Sequence, residues 1–562
     1  MRSSRRRVAI AVLTAGLSSP ALGQPAEPPS PEAARPGSPA EEARIRELVD
    51  REVARILTER AAKEAAERAA KETADKEAAV NEPGELRGSS GFMDTRLAFT
   101  ITNENMLARP GETTPSAPGW RFGTPNGLGV LFFDNYDSRY SGFETLSHAV
   151  MYRDYTRGHL QAEAALVIRL DDLTDSSIGL SDDGTYLTIS DWKDPSHKDP
   201  TRISLTAFPL SSDRFRLGYS YRLSWGGNPE YRRTRSATPG VKLQYDGANM
   251  YVFVGAKSAL VIDLRDRHEK AALAALAGAG LDLAPTVRVE VNGGTFDRGY
   301  NEVPDVSSQK VRLYGASVQA SAHRGTPVQS SLDYRLYRFN GESVTGLFAP
   351  ERYPGGVAWL AQGEFTILGQ RLKDPGVTGS TVTQYGHAAD LNVRVKVDRV
   401  RLRLDLSYRD LAFILHSQPG FPLYQAFPPG TTTSPDTFAA IGADRNWADW
   451  LTLGFIVGVE KPATLTTPVM DTDGMATTQV FRDNNVDTLS TTLPPGASGV
   501  AQVAVKGTAR LDFAKVFSAL LEVFYSHDRN QTHKTCIDVD QCQFEFGPAD
   551  QLGLNATLQA RF

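Results

Sequence analysis

The hydrophobic pattern of the chain changes period near residue 90. Before that point Ile45, Leu48, Val49, Val53, Ile56 and Leu57 recur at spacings of three and four, with Ala62, Ala65, Ala66 and Ala69 following. That spacing predicts a helix over 41–80 with an apolar stripe along one face. After it, apolar and polar residues alternate. Leu160, Ala162, Ala164, Leu166, Ile168 and Leu170 interleave with Gln161, Glu163 and Arg169. Phe215, Leu217, Tyr219, Tyr221, Leu223 and Trp225 interleave with Arg214, Arg216, Ser220, Arg222 and Ser224. The same holds for Leu391, Val393, Val395 and Val397 against Asp390, Asn392, Arg394 and Lys396. It holds again for Val400, Leu402, Leu404, Leu406 and Tyr408 against Arg401, Arg403, Asp405, Ser407 and Arg409. A period of two predicts strands with one face for an apolar phase and one for water.

A soluble antiparallel sheet gives the same alternation, so length has to separate the two cases. Several segments alternate over about ten residues, the length a tilted strand needs to cross a bilayer. Soluble strands usually run to about five or six. Aromatic residues at predicted strand ends, namely Tyr219, Tyr221, Trp225, Tyr334, Trp359, Trp450, Phe524 and Tyr525, suit interfacial girdles. Connections alternate between short, as at Asp398 and Arg399, and long, as between Leu411 and Phe438 and between Lys461 and Val500. At roughly 26 residues per strand with its connection, the expected fold is all-β. It is an antiparallel transmembrane β-barrel of about 18 strands, with 16 to 20 as the range, over residues 92–562.

Composition adds the rest of the domain plan. Arg2, Arg5, Arg6 and Arg7, the apolar run Val8 to Leu17 and Ala21-Leu22-Gly23 predict a signal peptide over 1–23. Residues 24–40 form a Pro-rich linker, and 81–91, with Gly88-Ser89-Ser90-Gly91, are expected as a flexible joint. The helix 41–80 needs something to cover its stripe. A short coiled coil joining three copies would do so, as would a periplasmic protein partner; a solvated charged spacer is the other reading. Export makes a local disulfide between Cys536 and Cys542 the expected state. A metal site built from Cys536, Cys542, His527, His533, Asp538 and Asp540 matches no zinc spacing. A net charge of −5 argues against a nucleic-acid partner. No cofactor motif is read.

The last strand is the most specific feature. Leu552, Leu554, Ala556, Leu558, Ala560 and Phe562 share one face, Asn555, Thr557, Gln559 and Arg561 share the other, and the sequence stops on the aromatic residue. This resembles the terminal strand of Gram-negative outer-membrane barrels, in which a final Phe or Trp is the signal read by the barrel-assembly machinery. Signal peptide, helical arm and barrel together resemble porins with periplasmic trimerisation helices, including phosphate-selective porins. No arginine ladder or lysine cluster in that family's pattern can be aligned. The resemblance implies an outer-membrane channel for small hydrophilic solutes or ions. It also admits an anchoring barrel of a surface machine for polysaccharide export or gliding motility.

In such a barrel selectivity lies in charged side chains that face the lumen. The candidates are Arg214, Arg216, Arg222, Arg394, Lys396, Arg401, Arg403, Arg409, Asp333, Asp390 and Asp405, within a larger inward set that includes Glu163, Glu290, Glu364, Lys506, Arg510 and Glu522. Basic residues prevail, which points to weak anion preference. The competing reading is that they pair across neighbouring strands and hold the wall together. Catalysis would need His148, His387 or His416 beside a nucleophile, and no spacing supplies one; no enzyme activity is expected.

Overall fold

Alternation is realised as a closed antiparallel barrel. The computed structural model describes residues 87–562 apart from 103–118, 123–147, 171–178, 232–236, 325–355, 418–423, 471–475, 484–487 and isolated positions that include Arg214, Tyr219 and Tyr221. The expected signal peptide, linker and helix, together with Asp333 and Tyr334, lie outside the described residues. The barrel strands are β1 (Arg87–Thr102), β2 (His148–Arg157), β3 (Leu160–Leu170), β4 (Tyr186–Trp192), β5 (Arg202–Phe208) and β6 (Gly240–Asp246). They continue as β7 (Met250–Asp263), β8 (His268–Ala284), β9 (Val287–Tyr300), β10 (Lys310–Arg324), β11 (Val357–Lys373) and β12 (Thr381–Val397). The last six are β13 (Val400–Arg409), β14 (Asp436–Ala448), β15 (Leu451–Lys461), β16 (Gln502–Asp512), β17 (Phe517–His527) and β18 (Asp550–Arg561).

Each strand pairs with the next in chain order, and β18 returns to β1, with Asp94 opposite Arg561 and Thr102 opposite Gly553. Two short pieces complete interrupted strands: Gly119–Phe122 pairs with the far end of β1, and Leu180–Asp182 with the far end of β3. Among the described residues this makes eighteen strands with no free edge, the arrangement that lets a wall in lipid satisfy its backbone groups without water. Phe562 finishes the seam: its amide donates to Met93 O, and the Met93 amide donates back to Phe562 O, both at 2.9 Å.

The outward face is apolar. Leu552, Leu554 and Leu558 on β18, Leu402, Leu406 and Tyr408 on β13, and Leu453, Phe455 and Val459 on β15 are all exposed. On the same strands Asn555, Thr557, Arg401, Arg403, Asp405, Arg409 and Glu460 are buried inside. A water-soluble sheet would reverse this arrangement, so the outer surface is one for lipid. Tight connections such as 158–159, 285–286, 398–399 and 449–450 fall on one rim, with both ends of the barrel. Asp398 turns its corner at φ 49°, a conformation that Asp tolerates. The connections 209–239, 410–435, 462–501 and 528–549 fall on the other rim, the extracellular one in barrels of this kind.

Several expectations change. Residues 87–91 are not a loose joint: they extend β1, held by pairing to β2 and by Asp154, which accepts from the Ser90 amide at 2.6 Å. The stretch 214–225 is not a wall strand but a segment folded inside the barrel, so Trp225 is buried rather than interfacial. Phe524 also points inward, its ring lying on Gly553. Trp359, Trp450 and Tyr525 are exposed outward as expected. The connection 410–435 carries a short helix, Leu411–Ser417, whose Phe413 backbone sits on Gly386 so closely that any side chain there would collide. Thr432–Ser434, Ala463–Met470, Ala476–Asp483 and Thr488–Thr492 make a small sheet at the loop rim. Cys536 and Cys542 stand directly opposite one another in the hairpin of Thr532–Asp538 and Gln541–Phe546.

Candidate functional site

The site is built where the connection 209–239 enters the lumen. Its alternating apolar residues form two arms instead of one strand. Leu217 and Trp225 exchange backbone hydrogen bonds at 2.8 and 3.0 Å, and the Ser224 amide donates to Ser220 O at 2.8 Å, which closes a narrow turn at the tip. Gly218 makes the turn possible with φ 101°, and a side chain there would strike Glu364. Arg216 ties the arms together by donating to Ser224 O at 3.2 Å.

The arms are anchored on the near wall by aromatic packing. Phe215 stacks on Phe208 at 5.8 Å and meets Phe253 edge-on at 6.1 Å. Gly255 is the seat for its ring, since a Cβ at that position would overlap Phe215. Trp225 lies 6.4 Å from Phe296 and donates its indole N–H to Ser317 Oγ at 3.0 Å. Lys257 is buried, and its ammonium donates to Ser212 O at 2.6 Å and Gly226 O at 2.7 Å. A buried cation spent on two loop carbonyls fixes the backbone of both arms.

The tip then meets the far wall. Strands β5 and β6 bracket the segment's roots, and β14 and β15 lie nine positions on, halfway around eighteen strands. The Ser220 amide donates to Glu364 Oε2 at 3.0 Å. Arg222, itself buried, bonds Glu460 and lies 3.5 Å from Asp436, with its guanidinium 4.3 Å from the centre of the Phe438 ring. Arg409 Nη2 donates to Asp436 Oδ2 at 2.5 Å, and Gln502 bonds Glu460. Arg222, Arg409, Asp436 and Glu460 thus form one charged knot that pins a lumenal segment to the wall opposite its roots.

The remaining candidates divide by level. Arg394 stands opposite Arg403, and Lys396 opposite Arg401, on the neighbouring strands β12 and β13 near the turn rim. Arg401 donates to Asp444 Oδ2 at 2.7 Å through Nε, and Arg403 lies 4.0 Å from the same carboxylate. Nearer the tip, Glu290, Gln319, Glu364 and Asp390 fall in one register row across β9 to β12. Asp405 accepts from Asn392 just beside that row. The lumen therefore carries an acidic row beside the tip, next to the Arg222 and Arg409 knot, and nearer the turn rim a mainly basic group that encloses Asp444.

Sequence reasoning found Arg222 and Arg409 but not their partners Asp436 and Glu460. Asp436 lies in a stretch read as loop, and Glu460 follows inward Ile456 and Gly458, which carry no polar alternation. The wall-pairing reading holds in places: Lys506 and Glu522, both buried, are 3.1 Å apart, and His148 Nε2 is 3.0 Å from Asp94. The three histidines weighed for catalysis sit apart, His148 in the lumen, His387 outward beside Asp410 and His416 on the loop helix. The lumen also has an apolar side that patterning did not foresee, where Phe208, Phe215, Tyr251, Phe253, Leu276 and Phe296 pack together.

No family model matches the chain, and no curated protein does. Among solved structures, OccK11 (OpdR) of Pseudomonas aeruginosa is 10% identical, with 85% of this chain and 99% of that one covered and a TM-score of 0.38. OprD of Pseudomonas aeruginosa is 12% identical over 86% of this chain and 98% of its own, with a TM-score of 0.36. The anion-selective porin from Comamonas acidovorans is 9% identical over 85% and 100%, also at 0.36. Identities this low bear on nothing beyond fold, and the fold is established by the pairing of the strands themselves. Among the described residues the chain is a closed, eighteen-strand antiparallel β-barrel with an apolar outer face, the form in which strands cross a membrane.

Proposed function

We propose that the protein is an outer-membrane channel for passive diffusion of small hydrophilic solutes or ions, with weak anion preference, and not an enzyme. The observation that carries this reading is the basic group Arg394, Lys396, Arg401 and Arg403 on the lumen wall, nearer the turn rim than the segment folded into the lumen. Charges facing a low-dielectric constriction act on permeating ions far more strongly than charges in open water. Planar-bilayer reversal potentials in a salt gradient test it: anion preference is expected, and a clear cation preference would overturn it. The N-terminal part of the reading is a signal peptide over 1–23 and a periplasmic arm over 41–80 that makes a homotrimer. Deleting 41–80 should then give monomers on a native gel.

A second reading is favoured by the aromatic packing that fills one side of the lumen. A barrel so filled suits a structural or anchoring role in a surface machine, with the arm engaging a periplasmic partner. Absence of conductance, persisting after removal of 209–239, would support it over the channel.

A further inference from the structure

The lipid-facing wall carries a feature that passage through the lumen leaves unused. On β10 to β12, at the loop-rim end, Tyr314, Gly369 and Tyr385 share one register row on the outward face. Both tyrosines are exposed, and a Cβ at Gly369 would run into the Tyr314 ring and press on that of Tyr385. The two rings therefore lie on the glycine as one platform. Two residues further toward the rim on the same face stand Arg312, beyond Tyr314, and Arg371, beyond Gly369, both exposed. Arg371 Nε donates to Thr381 Oγ1 at 2.7 Å, which aims its guanidinium along the strand tops. Lys310 follows, with its ammonium 2.8 Å from Asp297.

Placement decides what this face can meet. An outward guanidinium is costly in the hydrocarbon midplane and nearly free at the headgroup level. Tyrosine pairs of this kind mark that level. Three cations against one carboxylate leave the patch positive, and planar guanidinium groups suit phosphate oxygens. We propose that Arg312, Arg371, Tyr314 and Tyr385 form a docking face for the phosphate-bearing headgroup of an outer-leaflet lipid. Attraction of anionic lipid by basic residues at a membrane surface supports the assignment.

The test uses the full chain folded in detergent, bisphosphorylated lipid A as probe and native mass spectrometry as readout. The wild-type protein should retain the lipid. R312A/R371A should retain about tenfold less, and R312K/R371K an intermediate amount. Removing both phosphates from the lipid should lower retention to that of the alanine variant, while free inorganic phosphate should not displace the bound lipid. Heat-dependent gel mobility confirms that each variant is folded, and the single substitutions R312Q and R371Q serve if the double variant is not. Equal retention by the alanine variant, or of the phosphate-free lipid, overturns the proposal. So does loss of protein multimers in R312A/R371A without added lipid, which would give the face to a second copy of the chain.

Discussion

Arg222 is the side chain on which the lumenal segment depends. Its guanidinium is buried, serves Glu460 and Asp436 together, and lies over Phe438. Removing one member of a buried ionic group leaves the others desolvated and uncompensated, at a cost of about 3–5 kcal/mol. Here the segment can relieve that cost by leaving the far wall, so R222A should release the tip while the barrel stays closed. Single-channel conductance should rise, and the urea midpoint should fall by less than a full 3–5 kcal/mol implies. R222K keeps the charge but not the planar fork that reaches two carboxylates, and should lie between. Unchanged conductance in R222A would show that the tip does not narrow the passage. The residue itself was visible in the sequence as a basic member of an alternating run. Its partners were not, because Asp436 follows Ser434-Pro435 in a stretch rich in Thr, Pro and Gly, and nothing local marks a loop residue as the counter-ion of one two hundred positions away.

At the scale of elements, a period of two is ambiguous. Phe215 to Trp225 alternates as cleanly as β13 does, yet β13 pairs with β12 and β14 while 215–225 folds on itself across the lumen. The distinguishing signals were weak: Gly218 inside the run, and Gly226-Gly227 after it. The receiving surface is the stronger determinant, and it is spread over other strands. Gly255 shows this, since only a missing side chain there admits the Phe215 ring. G255L should therefore expel the arm, and limited proteolysis should cut within 209–239 in the variant while sparing the wild type. Equal protection would refute the seat. A second tie joins two loops outside the membrane. The Gly379 amide and the Lys373 ammonium both bond Asp305 Oδ2 at 2.9 Å, and they hold its carboxyl below the usual carboxylate range. A depressed carboxylate pKa contributes above its unfolded value and is lost only as pH falls through the folded one. Hydrogen exchange at Gly379 should stay slow as pH drops through the ordinary Asp range near about 4 and quicken only in stronger acid. D305N should abolish that dependence.

For the whole molecule, closure was the most legible property. A wall strand must show lipid one face and water the other, so the wall writes itself into the sequence over and over, and Leu552 to Phe562 wrote it most clearly. The seam of Phe562 with Met93 gives that strand a physical role: its pairing with β1 leaves the wall no free edge. What local pattern cannot carry is the distribution of charge in space. The basic residues of β12 and β13 read as one dispersed excess, whereas the barrel sets Arg394, Lys396, Arg401 and Arg403 nearer the turn rim than Glu364 and Asp390 on the same part of the wall. An ion crossing the lumen meets the two in series, so preference depends on which level limits passage. If the basic group does, R394Q/K396Q should shift the reversal potential toward cations while leaving conductance in concentrated salt nearly unchanged. The shift should be larger at about 0.1 M salt, where the screening length is about 10 Å, than at about 1 M, where it is about 3 Å. E364Q should instead strengthen anion preference at the tip. A reversal potential that ignores the β12 substitutions but follows E364Q would place the limiting step at the acidic row, and the preference of the channel would then be set by the segment that Arg222 pins.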